Sequence, residues 1–233
     1  MRYSRAVRPA LALRPTVAVL SVLLCAPPAA ASRLDPALAL QGWRVQPIEG
    51  RLAPLTFGAD GATAIRIEAP GETGGAGIVF LPVQVPVHPA LCLTWRWRVD
   101  GGAQGAGLVV RVGFEPDGER MSLVQRYALG FARALSPARH VPGFALAYRW
   151  GGEAGEPAWH PTPLLLVLER SRWLRPSPAA SPGQWVEETV RLAQEFRSAY
   201  TMAPTAYVTE LALGAVGGAG FSARIDSLAF RRC

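Results

Sequence analysis

Arginine and aromatic residues recur together along this chain, and they are the side chains best suited to binding chemistry. In one alternating segment, Trp95 and Trp97 face one way while Arg96 and Arg98 face the other way, because successive side chains of a strand point to opposite faces. Arg111 alternates in the same manner on the next such segment. If the two strands are neighbours, one open sheet face carries a row of three guanidinium groups.

A later segment supplies aromatic groups that could border this row. Guanidinium groups bind carboxylates through two parallel hydrogen bonds, and aromatic rings pack against the apolar faces of sugar rings. We therefore predict a site for a glycan or another anionic small molecule. Its predicted residues are Arg96, Arg98, Arg111, Tyr148, Arg149 and Trp150. The alternative reading, in which the tryptophans are core residues and the arginines only keep the surface soluble, stays open.

Signatures of catalysis and of metal binding are missing. The chain has no G-x-S-x-G, no P-loop, no H-E-x-x-H and no cysteine pair at zinc spacing, and His88, His140 and His160 lie far apart. The acidic segment 115–119 offers too few oxygens for calcium, and we interpret it as a solvated hairpin. A glycosidase needs two carboxylates roughly 5–9.5 Å apart, and no spacing indicates such a pair. We predict no catalytic residue, no metal and no cofactor.

The elements that must position these residues are mostly strands. Apolar and polar residues alternate over several segments, and only Leu192–Tyr200 has helical spacing. The predicted strands are Ala62–Ala69, Gly77–Val85, Leu91–Val99, Leu108–Phe114, Phe144–Trp150, Leu164–Arg170, Trp185–Leu192, Tyr207–Leu213 and Phe221–Phe230. Asp-Gly pairs at 60–61, 100–101 and 117–118 mark junctions and favour hairpin turns. We predict an all-β fold, a two-sheet β-sandwich of jelly-roll type with one short helix.

The first 31 residues have the features of an export signal. Four arginines precede an apolar run of 11 residues, Thr16–Ala26, and the small residues Ala29 and Ala31 fit the cleavage site of a signal peptidase. The run is too short for the roughly 20 residues that span a bilayer. We predict cleavage before Ser32, one domain over residues 32–233 with no membrane span, and a periplasmic or secreted location.

Charge argues against a nucleic-acid partner. All 24 basic residues are arginine, and the formal net charge is +7. Loss of residues 1–31 removes four arginines and no acid, which leaves +3. We therefore predict no nucleic-acid binding. The oligomeric state cannot be predicted from the residues.

Two cysteines remain after the leader. Cys92 lies in a predicted strand and Cys233 is the last residue. A disulfide is possible in an oxidising compartment, but a buried thiol and a free tail are the reading that we favour.

The chain also resembles the bacterial domain-of-unknown-function family numbered 3047. The resemblance rests on the motif W-R-W-R-V at 95–99, on Arg111-Val112, on Tyr148–Gly151, on Glu169–Ser171 with Trp185–Glu188, and on the strand Ala223–Phe230. It covers about Trp43 to Phe230. The resemblance implies an exported β-sandwich and no established activity.

Departures from the family bear on the type of function. Family members carry acidic residues where this chain has Ala106 and Gly107, and again where it has Leu213 and Ala215. If those acids perform catalysis, this chain has lost it. We therefore predict a non-catalytic binding module for a glycan or another anionic envelope component. The alternative is a polysaccharide-active envelope enzyme, either a hydrolase or a lyase that uses Tyr148 or His160 with Arg96.

Overall fold

The computed structural model describes residues 32–47, 52–69, 71, 74–102, 107–135, 141–151, 158–161, 168–175 and 182–233. The predicted leader, residues 1–31, lies outside these ranges, so its cleavage stays a prediction. The described residues form the strands β1 (Arg33–Leu34), β2 (Arg44–Gln46), β3 (Ala53–Pro54), β4 (Thr56–Asp60), β5 (Ala64–Glu68), β6 (Gly75–Pro86), β7 (Leu91–Gly101), β8 (Gly107–Phe114), β9 (Phe144–Trp150), β10 (His160–Pro161), β11 (Glu169–Arg175), β12 (Val186–Arg191), β13 (Tyr207–Gly217) and β14 (Ser222–Arg232). The helices among them are α1 (Pro36–Leu40), α2 (Leu123–Leu135) and α3 (Leu192–Tyr200).

The strands form two sheets that pack face to face. One sheet has six strands in the order β1-β4-β5-β14-β7-β12. The other has eight, in the order β10-β11-β9-β8-β13-β6-β2 with β3 also paired to β6. The chain crosses between the sheets at β1-β2, at β3-β4, at each step of β5-β6-β7-β8 and at each step of β11-β12-β13-β14. The predicted all-β sandwich of jelly-roll type is confirmed.

Alternation along the strands builds the core between the sheets. On β7 of the six-stranded sheet, Trp95 and Trp97 are buried, as the sequence predicts. On β8 of the eight-stranded sheet, Val110 and Val112 point into the same core. The two indole rings meet edge to face with their centres 5.4 Å apart, a favoured geometry for aromatic pairs.

Eight of the nine predicted strands match observed strands. Most of the ninth, Leu164–Arg170, lies outside the described residues, and its last two residues are the first two of β11. Helix α3 has the predicted bounds. The prediction of a single helix is wrong, because α1 and α2 also form. Helix α2 begins with a capping box, in which Gln125 N–H donates to the Ser122 hydroxyl and Ser122 N–H donates to the Gln125 side chain.

Helix α3 closes one end of the sandwich. Its Phe196 ring lies 4.8 Å from Phe114 and 5.5 Å from Phe144, which end β8 and begin β9. The Tyr200 oxygen lies 2.8 and 2.7 Å from the carbonyl oxygens of Ala145 and Leu168, which share its single donor proton. Burial raises the pKa of this hydroxyl, so it stays a donor at any physiological pH.

Cys92 and Cys233 form a disulfide, with 5.8 Å between their α-carbons. The reading that favoured free thiols is therefore wrong. The bond ties the last residue of the chain to β7, across 141 positions of sequence. A second bond at this end comes from Cys233 N–H, which donates to Ala90 O at 3.0 Å.

Among the described residues, no helix has the length and apolar character needed to cross a membrane.

Candidate functional site

The open face of the six-stranded sheet holds Arg96 and Arg98 beside a tryptophan. Both arginines leave β7 on the face opposite the core, as predicted. Trp185 directly precedes β12, which pairs with β7, and 37% of this tryptophan is exposed. The guanidinium carbons of Arg96 and Arg98 lie 4.8 and 4.9 Å from the centre of its ring. Arg96 and Arg98 therefore do lie beside an aromatic ring, but the ring is that of Trp185 and not a predicted one.

Carboxylates orient both guanidinium groups. Arg96 Nε donates to Asp226 at 2.7 Å, and Arg98 Nε lies 2.8 Å from an oxygen of Asp100. Asp226 thus holds Arg96 in one direction before a ligand arrives, whereas Arg98 is placed by an ion pair that lacks hydrogen-bond geometry at Nε. A group that is already ordered loses less conformational entropy on binding.

Asp226 is the buried anchor of this arrangement. Burial by itself would raise its pKa, but hydrogen bonds from Thr63 Oγ1, from Arg96 and from the Ser227 N–H outweigh that effect and leave the pKa below its ordinary value. The Thr63 and Ser227 bonds measure 2.6 and 2.7 Å. Asp226 therefore stays ionised and keeps Arg96 in place.

A polar pocket of about 190 Å³ opens next to Arg96. It forms where β14 bulges between Asp226 and Ala229, which shifts its register against β7. At this bulge Ser227 has a φ of 54°, a left-handed conformation that non-glycine residues seldom adopt outside functional or tightly constrained positions. The pocket is lined by Thr94, Trp95, Arg96, Glu187, Ser227 and Arg231.

Charges on this face balance one another. Farther along the sheet, Arg66 lies 3.5 Å from Glu68, and Arg224 lies 2.6 Å from Asp60. Together with the pairs of Arg96 and Arg98, they make a network of alternating sign. Such a face suits a ligand that carries few charges better than a long polyanion.

The predicted row of three guanidinium groups is wrong, because β7 and β8 belong to different sheets. The Asp100-Gly101 pair lies where the chain leaves one sheet for the other, and not at a hairpin between neighbours. Arg111 projects from the eight-stranded sheet, on the face opposite the core. It is only 6% exposed there.

Arg111 is the centre of a buried ionic cluster. Its Nε and Nη2 donate to Glu210 Oε1 at 3.0 and 2.6 Å, and its Nη1 lies 3.5 Å from Glu169 Oε2. Nη2 also donates to the Gln46 side chain at 3.1 Å. Burial by itself would lower the pKa of Arg111, but the charges of Glu210 and Glu169 outweigh it and raise the pKa. The guanidinium is thus committed to these partners, and no free anion site remains on it.

Tyr148 and Trp150 are core residues, so the prediction that they border an arginine face is wrong. Tyr148 is fully buried, and its ring centre lies 5.5 Å from that of Trp95. Burial raises the pKa of this phenol well above its ordinary value. Trp150 packs edge to face on Trp97 at 5.3 Å. Arg149 points out of the eight-stranded sheet instead, and its guanidinium carbon lies 5.5 Å from the centre of the Trp173 ring.

The combination considered for a lyase does not assemble. Tyr148 lies in the core, and Arg96 lies on the outer face of the six-stranded sheet. His160 belongs to β10 at the edge of the other sheet, where its Nε2 lies 3.0 Å from the Ser171 hydroxyl. None of these groups shares a face with Arg96.

A family model described as "Protein of unknown function (DUF3047)" matches residues 41–217. The chain belongs to this family. The resemblance inferred from the W-R-W-R-V motif is confirmed. Among curated proteins no relative matches the sequence.

Several solved structures resemble this member of DUF3047 at low identity. One is the xyloglucanase domain of NopAA, a type three effector from Sinorhizobium fredii, in complex with cellobiose, at 10% identity and a TM-score of 0.44, with 82% of this chain and 93% of that chain covered. Another is the family 11 xylanase from Neocallimastix patriciarum, at 8% identity and a TM-score of 0.42, with 76% and 85% covered. Similarity at this level bears on neither substrate nor reaction.

The positions where DUF3047 members are expected to carry acids give no support to a lost active site. Leu213 and Ala215 are buried and point into the core between the sheets. Gly107 begins β8, and Ala106 lies outside the described residues. Carboxylates at 213 and 215 would not reach either outer face, so their replacement does not separate binding from catalysis.

Three residues of these sites were missed by reasoning from the sequence. Trp185 could have been found, since it begins a predicted strand and alternates with the outward-facing Glu187. Glu169 and Glu210 could not be paired, because they meet only through the order β11-β9-β8-β13, which no local pattern indicates. Strand order is the information that the sequence lacks.

The acidic segment 115–119 leads into α2, so its interpretation as a hairpin is wrong. The Glu115 carboxylate accepts hydrogen bonds from the N–H groups of Ala206 and Tyr207 at 2.8 and 3.2 Å. The Asp117 carboxylate accepts from the N–H groups of Glu119 and Arg120. In the part of the chain that the structure describes, no three histidine, cysteine or acidic side chains are grouped to hold a metal ion.

Proposed function

We propose that this chain is an exported, non-catalytic binding protein for an acidic saccharide. The ligand is held at the Trp185 surface, which we define as Arg96, Arg98 and Trp185 together with the pocket residue Arg231. The observation that carries the proposal is the partly exposed Trp185 ring, which lies within 5 Å of two guanidinium carbons that carboxylates already hold in place.

Each part of the Trp185 surface suits one part of such a ligand. An indole ring offers a flat apolar area on which the C–H face of a pyranose packs. Asp226 engages Nε and Nη2 of Arg96, and among the described residues Nη1 has no partner. A sugar carboxylate could accept from that amino group, and Arg231, which also lines the pocket, adds a second cation.

Balanced charge on this face shapes the expected specificity. Since the neighbouring arginines are paired with acids, attraction comes from directed hydrogen bonds and not from a broad positive field. A ligand with one or a few carboxylates is favoured over a polyanion. Exposed electrostatic attraction is screened over about 10 Å at 0.1 M salt, so added salt weakens binding without abolishing the contribution of the ring.

Export is part of this proposal and rests on the leader features of residues 1–31. Intact-mass analysis of the protein recovered outside the cytoplasm decides it. A chain that starts at Ser32 supports the proposal, and a retained leader contradicts it.

A binding series tests the site itself. Calorimetric titration with an oligosaccharide of uronic acids should give binding that Trp185→Ala and Arg96→Ala each weaken by about tenfold or more, the loss of one stacking or one charged hydrogen bond. Arg197→Ala is the matched control, since Arg197 is also an exposed arginine but lies on α3. Equal affinity in all four proteins would remove the Trp185 surface from consideration.

A second candidate function, a polysaccharide-active enzyme, draws support from the Arg111 cluster. Glu169 and Glu210 are two buried carboxylates that both contact the guanidinium of Arg111. Arg111 fills the space between them, whereas a glycosidase leaves room there for the sugar and the water. This is why binding at the Trp185 surface is the better supported function.

Incubation with acidic and neutral polysaccharides distinguishes the two candidates. The binding function predicts no release of reducing or unsaturated ends. Release that disappears in Glu210→Gln, with folding retained by circular dichroism, would establish the enzyme and reject the non-catalytic proposal.

A further inference from the structure

Helix α2 carries an exposed apolar stripe. None of the residues that the structure describes covers it. Leu123, Val124, Tyr127 and Phe131 are 64, 63, 77 and 66% exposed. Residues 123, 127 and 131 are four apart, so they lie along one line of the helix, and Val124 lies beside them. The stripe presents about 500 Å² of mostly apolar surface, at the upper end of what monomeric proteins expose without a function.

The opposite side of α2 is fixed to the fold. Leu129 is buried in the core cluster, and Met121 just before the helix is buried as well. Ser122 caps the first turn, and Arg133 Nη2 donates to Val141 O at 3.1 Å. The stripe is therefore held outward by a docked helix and does not belong to a loose segment.

The charged residues of α2 itself have one sign. Helix α2 contains Arg126 and Arg133 and no acidic residue. In the turn before it, Asp117 is paired with Arg120 at 3.0 Å, and Glu119 is the one further acid of that turn. An outward apolar line with two aromatic rings and flanking arginines is the composition of helices that lie in the headgroup region of a membrane.

A second copy of the chain fits this face less well. A stable dimer buries about 800 Å² on each partner, more than the stripe provides. A two-fold contact through α2 would also bring the arginines of one copy toward those of the other, and no acid on the helix would offset them. Area and charge together favour a lipid surface.

We propose that α2 docks this protein on an anionic phospholipid surface, with Leu123, Val124, Tyr127 and Phe131 in contact with the lipid and with Arg126 near the phosphates. The helix lies along the surface and does not span it. This contact is independent of saccharide binding at the Trp185 surface, because the two sites share no residue.

Vesicle sedimentation of the chain that starts at Ser32 tests the proposal. The protein should sediment with vesicles of phosphatidylcholine and phosphatidylglycerol, and much less with phosphatidylcholine alone. The double variant Tyr127→Ser/Phe131→Ser should lower the partition coefficient by about tenfold or more, since two aromatic contacts are lost. Leu40→Ser is the matched control, because Leu40 is 91% exposed on α1 and should leave partition unchanged.

Two outcomes would overturn the inference. One is a protein that stays in the supernatant with both kinds of vesicle. The other is a concentration-dependent dimer in sedimentation velocity that the double variant abolishes, which would assign the stripe to a second copy. Circular dichroism of the double variant guards against loss of the fold, and both substituted side chains are exposed.

Discussion

Replacing Arg111 by methionine removes the guanidinium that Glu210 and Glu169 share, while it keeps an unbranched side chain of similar length. Both carboxylates are buried, and the shortest contact of the cluster, 2.6 Å, is lost. Removing one partner of a buried ion pair costs about 3–5 kcal/mol, because the remaining charge stays desolvated without its counterion. For a chain of this size that loss lowers the melting temperature by about 6–20 °C.

Urea unfolding followed by tryptophan fluorescence measures this effect, with the midpoint and the slope fitted together. Arg98→Met is the matched control, since Arg98 also pairs with an acid but lies on the open face. Its expected cost is below about 1 kcal/mol. The combined variant Arg111→Met/Glu210→Met/Glu169→Met should recover most of the loss, because no buried charge is left without a partner. If Arg111→Met unfolds at the wild-type urea concentration, the cluster is not buried as described and the reasoning fails.

Three further predictions concern the framework. Trp97→Ala should cost about 3–5 kcal/mol in urea melts, and Arg98→Ala below about 1 kcal/mol, because only the first is a buried aromatic; the reverse order would mean that the register of β7 is off by one. Cys233→Ser should cost about 2–5 kcal/mol, because the disulfide closes a long loop, and a reducing agent should lower the midpoint of the wild type but not of this variant. The fold lowers the pKa of Asp226 below its ordinary value of 3.8. The ionised carboxylate therefore stabilises the folded protein at pH values above 3.8, and this stabilisation is lost as the pH falls through the pKa of the folded state. The stability difference between wild type and Asp226→Asn should therefore be largest at neutral pH and shrink in acid; a difference that grows in acid would contradict the assigned hydrogen bonds.

Alternation predicts β5 and β7 well, because a strand with one buried face must place every second side chain in the core. The same logic explains the success at Trp95 and Trp97. Periodicity did not predict helix α2, because most of its large apolar residues face solvent and do not form a core-facing stripe. Its capping box at Ser122 and Gln125 was the available signal.

The sequence predicted the candidate binding residues correctly only where they lie on the same strand. Arg96 and Arg98 share a face because they are two residues apart on β7, and that part of the prediction holds. Arg111 was joined to them by assuming that consecutive strands pair, and the crossing from β7 to β8 breaks that assumption. Contacts such as Arg111 with Glu210 span 99 residues and depend on the order of the whole sheet, which local patterns do not encode.

Recognition of a saccharide carboxylate is the property that we propose for the Trp185 surface. The most direct measurement compares calorimetric titrations of one uronic-acid oligosaccharide with those of the same oligosaccharide after its carboxyl groups are reduced to alcohols, at low and at high salt. We expect the acidic form to bind about tenfold or more tightly at low salt, with the gap narrowing as salt rises, because a charged hydrogen bond is worth about 1.5–3 kcal/mol and its exposed part is screened. Equal affinity for the two forms at low salt would contradict carboxylate recognition by the Trp185 surface.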